Sequence, residues 1–224
     1  MITTPDLIEQ LAATTTPVRR LRPPLLRAGL WLLFAAFILA LLAAGHGVRP
    51  DLGQRLHQPA FVAGMAASLL TGVLAAVAAF TISLPDRSHR WLLLPAPALV
   101  VWISTIGYGC LTDWVSIGPN GVQLGETVRC FATLVLTSLP LSFAMLVMLR
   151  YAGLLRPRAV AMTGCLAVAA ITATALSLFH DLDATLMILI WNLGTAALIV
   201  GLGGALGRRL FSWVAPRAGS IQDR

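Results

Sequence analysis

The chain has 224 residues, 58% of them hydrophobic and only 11% charged, and its mean hydropathy is +0.83. Soluble domains carry about 25% charged residues, so the composition excludes an ordinary soluble fold and predicts an all-α, polytopic bundle in a lipid bilayer. The net charge of +7 comes from 16 basic residues, all arginine; arginines at span ends account for it, and no direct contact with nucleic acid is expected.

The chain opens on a polar leader, residues 1–27. Thr3 or Thr4 suits a helix cap, Pro5 the first turn, and Asp6 and Glu9 the positive end of a helix dipole. Leu7, Ile8 and Leu11 then share one face, with Ala12 beside them, until Thr14-Thr15-Thr16-Pro17 ends the pattern. About ten residues do not hold a helix alone in water. With Asp6 and Glu9 and no base before Arg19, an anionic membrane surface attracts the segment little. Docking in a groove of a soluble protein is the sharper expectation. Burying three aliphatic side chains yields roughly 5–9 kcal/mol and ordering the segment costs about 2–5 kcal/mol. That leaves a micromolar-type contact, and tighter binding needs Val18 to Leu26 as well.

Arg19, Arg20, Arg22 and Arg27 lead into Ala28–Gly45, an uncharged stretch without a side-chain amide. Eighteen helical residues span roughly 27 Å, close to the hydrocarbon thickness of a bilayer. The apolar run is too long, and its polar lead too long, for an ordinary signal peptide. A first transmembrane helix over 28–46 is expected, with the arginines holding the leader in the cytoplasm.

Five further spans follow, at about 60–84, 91–110, 128–149, 159–179 and 184–207. Short polar connections separate them, and residues 208–224 form a tail. Three arginines (Arg49, Arg55, Arg129) fall on one set of alternate segments and the other 13 on the opposite set, which places both termini inside. In the tail, Phe211 and Trp213 with the arginines suit anchoring at the interface. Ala and Gly are frequent in the spans, as in 64–79 and 194–207, and favour close helix approach. Gly203 to Gly207 has the Gly-xxx-Gly spacing, for which intramolecular packing and a homo-oligomer face are both open. Pro95, Pro97 and Pro140 are expected to bend spans three and four.

Residues that carry chemistry are sparse. No charge falls at mid-depth in a span, which argues against an ion-coupled transporter; Asn192 is the one amide well inside a span and suits a hydrogen bond between helices. There is no H-E-x-x-H, Walker A or G-x-S-x-G sequence, so no enzymatic activity is expected. His46, His57 and His180, with Asp181 and Asp183, gather at span ends in a spacing that matches no metal motif, and no cofactor is expected. Cys110 closes span three and Cys130 opens span four, joined by one outer loop. An oxidising compartment there permits a disulfide, provided the Cα atoms lie within about 7 Å. Cys165, inside span five, suits inert packing.

The order Asp6-Leu7-Ile8, Leu11-Ala12, Pro17-Val18-Arg19-Arg20, then Arg49-Pro50-Asp51-Leu52 and Pro59-Ala60-Phe61, resembles the NrsF-like family of polytopic membrane anti-sigma factors. Arg129-Cys130 with Ser138-Leu139-Pro140, and His180, Trp191, Leu193-Gly194 and Gly207-Arg208-Arg209, extend the resemblance over nearly the whole chain. The resemblance implies that the cytoplasmic N-terminal segment holds an extracytoplasmic-function sigma factor at the bacterial inner membrane, away from core RNA polymerase. It implies release by a periplasmic redox or metal signal through a cysteine pair. One of these cysteines matches Cys130; the other position, after His180, holds Asp181 here. Three readings follow: Cys110 supplies the second thiol, the site senses through other groups, or thiols take no part. Two other classes make different predictions. A transporter or channel subunit needs a polar path along several spans, and a structural subunit of a membrane complex needs stable intramembrane partners.

Overall fold

The computed structural model describes residues 3–14, 22–112, 124–149 and 156–179, together with isolated helical positions between 198 and 206. Every regular element among them is helical: α1 (Thr4–Thr14), α2 (Pro24–His46), the short α3 (Leu52–Arg55), α4 (Pro59–Ile82), a 3-10 turn (His89–Leu93), α5 (Ala96–Thr112), α6 (Leu124–Leu149) and α7 (Pro157–Phe179). Five segments are long and apolar enough to cross a membrane: Pro24–Gly45, Pro59–Ile82, His89–Gly107, Ala132–Leu149 and Pro157–Phe179. They correspond to the first five expected spans. The sixth, 184–207, lies almost wholly outside the described residues, as do Asn192, the Gly203–Gly207 spacing and the tail.

Proline marks the starts. Pro24 and Pro59 occupy the first turns of α2 and α4, and Pro157 opens α7, where the missing N–H removes no helical bond. Pro95 and Pro97 lie inside the span His89–Gly107, where the 3-10 turn gives way to α5. Pro95 precedes α5 and Pro97 is the second residue of that helix. Among the described residues only Pro140 lies in a helix interior, where it denies the Leu136 carbonyl its usual partner.

The helices alternate in direction, and the α4–α7 pair is the hub. Helix α7 packs chiefly on α4 and then on α6; α2 lies against α4 and α6, and α5 against α4. One core cluster joins Trp31 and Ala35 of α2, Ala75, Ala76 and Phe80 of α4, Leu141 and Met145 of α6, and Ala167, Val168 and Ile171 of α7. A second sets Trp102 of α5 against Ala67 of α4 and Ala170 and Ala173 of α7. The small residues along α4 and α7 allow this approach. The buried hydroxyls of Thr71, Thr137, Thr163 and Thr174 donate to the carbonyl four residues earlier in their own helices, so the apolar surroundings leave them bonded. The outward face of α2 carries Leu33, Phe37 and Leu41 at a four-residue spacing, as expected of a helix that meets lipid.

Candidate functional site: the leader and its root

The leader begins with a cap in which Asp6 accepts twice from Thr3. Thr3 N–H donates to Asp6 Oδ2 at 3.1 Å, and the Thr3 hydroxyl donates to the same oxygen. This satisfies a backbone donor that a helix start leaves open. The Thr3 side-chain bond, then its backbone bond, holds the Asp6 carboxyl below the usual carboxylate range. Helix α1 ends at Thr14, where the threonine run starts. All its described side chains are exposed, and Ile8 is 62% exposed. An aliphatic side chain on a capped amphipathic helix is thus held out from the bundle. Leu7 and Leu11 occupy helical positions in α1, but their side chains lie outside the described set. Pro17, Val18, Arg19 and Arg20 lie wholly outside it.

The root of the leader is built differently from the expectation. Arg22 is exposed, and Pro23 is extended (φ −51°, ψ 141°). Helix α2 then begins at Pro24, four residues before the expected start at 28. This places Arg27 in the first turn of the span. Its side chain points into the bundle and is only 5% exposed. The guanidinium lies over the Phe80 ring, 5.1 Å from the centroid, and Nη2 donates to the Met148 carbonyl. That carbonyl belongs to the last turn of α6, where backbone oxygens lack helical partners and the dipole favours a cation. Nη1 is buried and has no hydrogen-bond partner among the described residues. One turn further on, Trp31 Nε1 donates to the Leu141 carbonyl of α6 at 3.1 Å. Two side chains of α2 therefore hold the backbone of α6. Turning Arg27 and Trp31 inward leaves Leu25 and Leu26 exposed at the base of the leader.

A second buried arginine closes the opposite end. Arg49 is 7% exposed and holds Asp51 through Nε at 2.6 Å and Nη2 at 2.8 Å. Its guanidinium faces the Phe61 ring at 5.8 Å, and its backbone N–H donates to the Leu178 carbonyl of α7 at 3.1 Å. Arg55 reaches the same carboxylate at 3.3 Å. The Arg49 hydrogen bond is the main cause that lowers the Asp51 carboxyl to about 2. The connection expected as a simple polar loop is a tied corner, and Leu178 lies two residues before His180.

The expected sensing residues are not brought together among the described side chains. Cys110 and Cys130 fall within α5 and α6, but their side chains are outside the described set, and His180 and Asp181 are outside it altogether. Cys165 is a free thiol inside α7. No group of three or more His, Cys, Asp or Glu side chains able to hold a metal occurs among the described residues.

These features define a helical protein with membrane-length spans and a capped, outward-facing leader, a framework suited to regulation. The family of negative regulators of sigma F (NrsF) matches residues 11–213. The match covers most of the chain, from the second half of α1 into the tail, and this chain belongs to that family. The chain matches no curated protein and no solved structure.

Proposed function

We propose that the protein is an anti-sigma factor of the bacterial inner membrane, with both termini in the cytoplasm. In this reading residues 1–27 capture an extracytoplasmic-function sigma factor, six spans within 28–207 anchor it, and 208–224 lie at the inner surface. Asp6, Leu7, Ile8, Leu11, Pro17, Val18, Arg19 and Arg20 belong to the binding segment, which extends to Leu26. The observation that carries the proposal is the exposed Ile8 on a capped helix, in a chain whose family regulates a sigma factor negatively. An aliphatic ridge of this kind fits a hydrophobic groove on a soluble partner, and a groove filled by α1 is closed to core polymerase. Cys130, with Cys110 or with His180 and Asp181, receives a periplasmic redox or metal signal that shifts span packing and releases the partner. Such coupling requires two packings with different affinities for the sigma factor.

Co-purification of the cognate sigma factor with the full-length protein tests the partner, and removing residues 2–18 should abolish it. Capture that survives this deletion places the binding element elsewhere. Maleimide labelling of intact cells with and without reductant tests the thiols. Labelling that is equal in both conditions removes the disulfide.

A further inference from the structure

We propose that Arg27 is a positioning residue for partner capture, one that fixes the root of the leader to the end of α6. The inference rests on the reading of α1 as the capturing helix, and concerns what sets its presentation. Three observations place the control at this point. First, Arg27 is the first buried side chain of α2, and it grips another helix rather than its own. Second, the chain that precedes it is stiff: two consecutive prolines, Pro23 and Pro24, fix φ, so the direction of exit follows the orientation of α2. Third, the inward turn of Arg27 is what leaves Leu25 and Leu26 outward, continuous with the binding segment. A rotation of α2 about its axis that withdraws Arg27 from Met148 also carries Leu25 and Leu26 toward the bundle.

The grip suits a switch because it is incompletely satisfied. Nη2 has the Met148 carbonyl and the guanidinium face has the Phe80 ring, while Nη1 is buried without a partner among the described residues. A buried donor left unmade is costly. A small shift of the α6 end is enough to alter the balance. Helix α6 carries both Cys130 and Met148, so the grip also connects the leader to the far end of the bundle through one helix, interrupted at Pro140. Coupling along such an element is established by measurement and not by adjacency.

The test uses the full-length protein in lipid nanodiscs with the cognate sigma factor. Arg27→Gln keeps a polar side chain but shortens it and removes the cation, and Arg158→Gln removes an exposed arginine at the same end of the bundle. Phe80→Leu removes the ring beneath the guanidinium. Capture affinity is measured, together with the distance distribution between fluorophores at positions 13 and 88. Arg27→Gln should weaken capture at least tenfold and broaden the distribution, Phe80→Leu should give an intermediate change in both, and Arg158→Gln should stay within twofold of the parent. Capture within twofold of the parent by folded Arg27→Gln overturns the proposal. If that variant does not fold, parental capture by Phe80→Leu overturns it. Deleting residues 3–14 separates the two readings: capture that persists refutes α1 as the binding helix, whereas capture lost there but unchanged in the Arg27 and Phe80 variants refutes only the positioning role.

Discussion

Gly72 of α4 lies directly against Ile171 of α7. A methyl group at Gly72 would meet Ile171 Cδ1 at 2.8 Å and the Ile171 backbone nitrogen at 3.3 Å. The side-chain end can swing away, but the backbone cannot. The hub of the bundle thus depends on a missing side chain at one position, and α4 and α7 pack closer there than two alanine-bearing helices can.

Gly72→Ala should therefore destabilise the bundle. Overpacking costs about 1–3 kcal/mol, against about 1 kcal/mol gained in helix propensity, so the net loss is about 1 kcal/mol or somewhat more. Thermal unfolding of the purified protein checks it. Gly29→Ala, with nothing within 4 Å of its added carbon, serves as the comparison and should be neutral or stabilising.

Trp31 is completely buried and donates to the Leu141 carbonyl. Trp31→Phe removes the donor while keeping most of the packing, and should lower stability by about 1 kcal/mol. Trp31→Ala leaves a large void as well and should lower it by about 3–5 kcal/mol. Denaturation of the two variants side by side separates the hydrogen bond from the volume.

The Asp51 corner sets a pH dependence. Its carboxyl is held at about 2 by the Arg49 hydrogen bond, below the ordinary value of 3.8 expected in the unfolded chain. A depressed folded value means that its stabilisation is fully present above about pH 4 and disappears as pH falls toward 2. Asp51→Asn should lower the melting temperature at neutral pH, and the gap to the parent protein should close between pH 4 and 2. A gap constant across that window would show that the ion pair contributes nothing.

Ile8→Ala should weaken capture of the sigma factor about tenfold or more, since burying this side chain is worth about 1.5–3 kcal/mol. Because Ile8 is exposed in the free protein, the melting temperature should not change. Calorimetric titration of the sigma factor into both proteins measures the difference.

The span pattern was legible because runs such as Ala28–Gly45 have one interpretation in a chain this apolar, and because Thr14-Thr15-Thr16 marks the end of α1. Helix starts were less legible. A proline within an apolar run reads equally as a kink or a first turn, and at Pro95 and Pro97 a 3-10 turn gives way to α5 inside one span. The root of the leader was hidden for a different reason. Charge counting treats Arg19, Arg20, Arg22 and Arg27 alike as inner-side markers, although Arg27 alone stands four residues before Trp31 in the first helical turn. That spacing is the available signal, but the partner that draws the guanidinium inward, the Met148 carbonyl, lies 121 positions away. The Arg49 corner is similar: Asp51 is a near neighbour, whereas Leu178 and the turn inward over Phe61 are products of packing.

The two arginine–phenylalanine pairs also set a fixed separation along α4. Phe61 and Phe80 stand near opposite ends of α4, about 28 Å apart along the helix, and each is overlaid by a guanidinium. Both cations suit the headgroup level, so the separation between them matches one acyl chain length better than others. Thicker or thinner bilayers must tilt α2 and α4 or draw one cation off its ring. Under the proposed membrane placement, bilayer thickness therefore bears on the orientation of the helix from which the leader emerges.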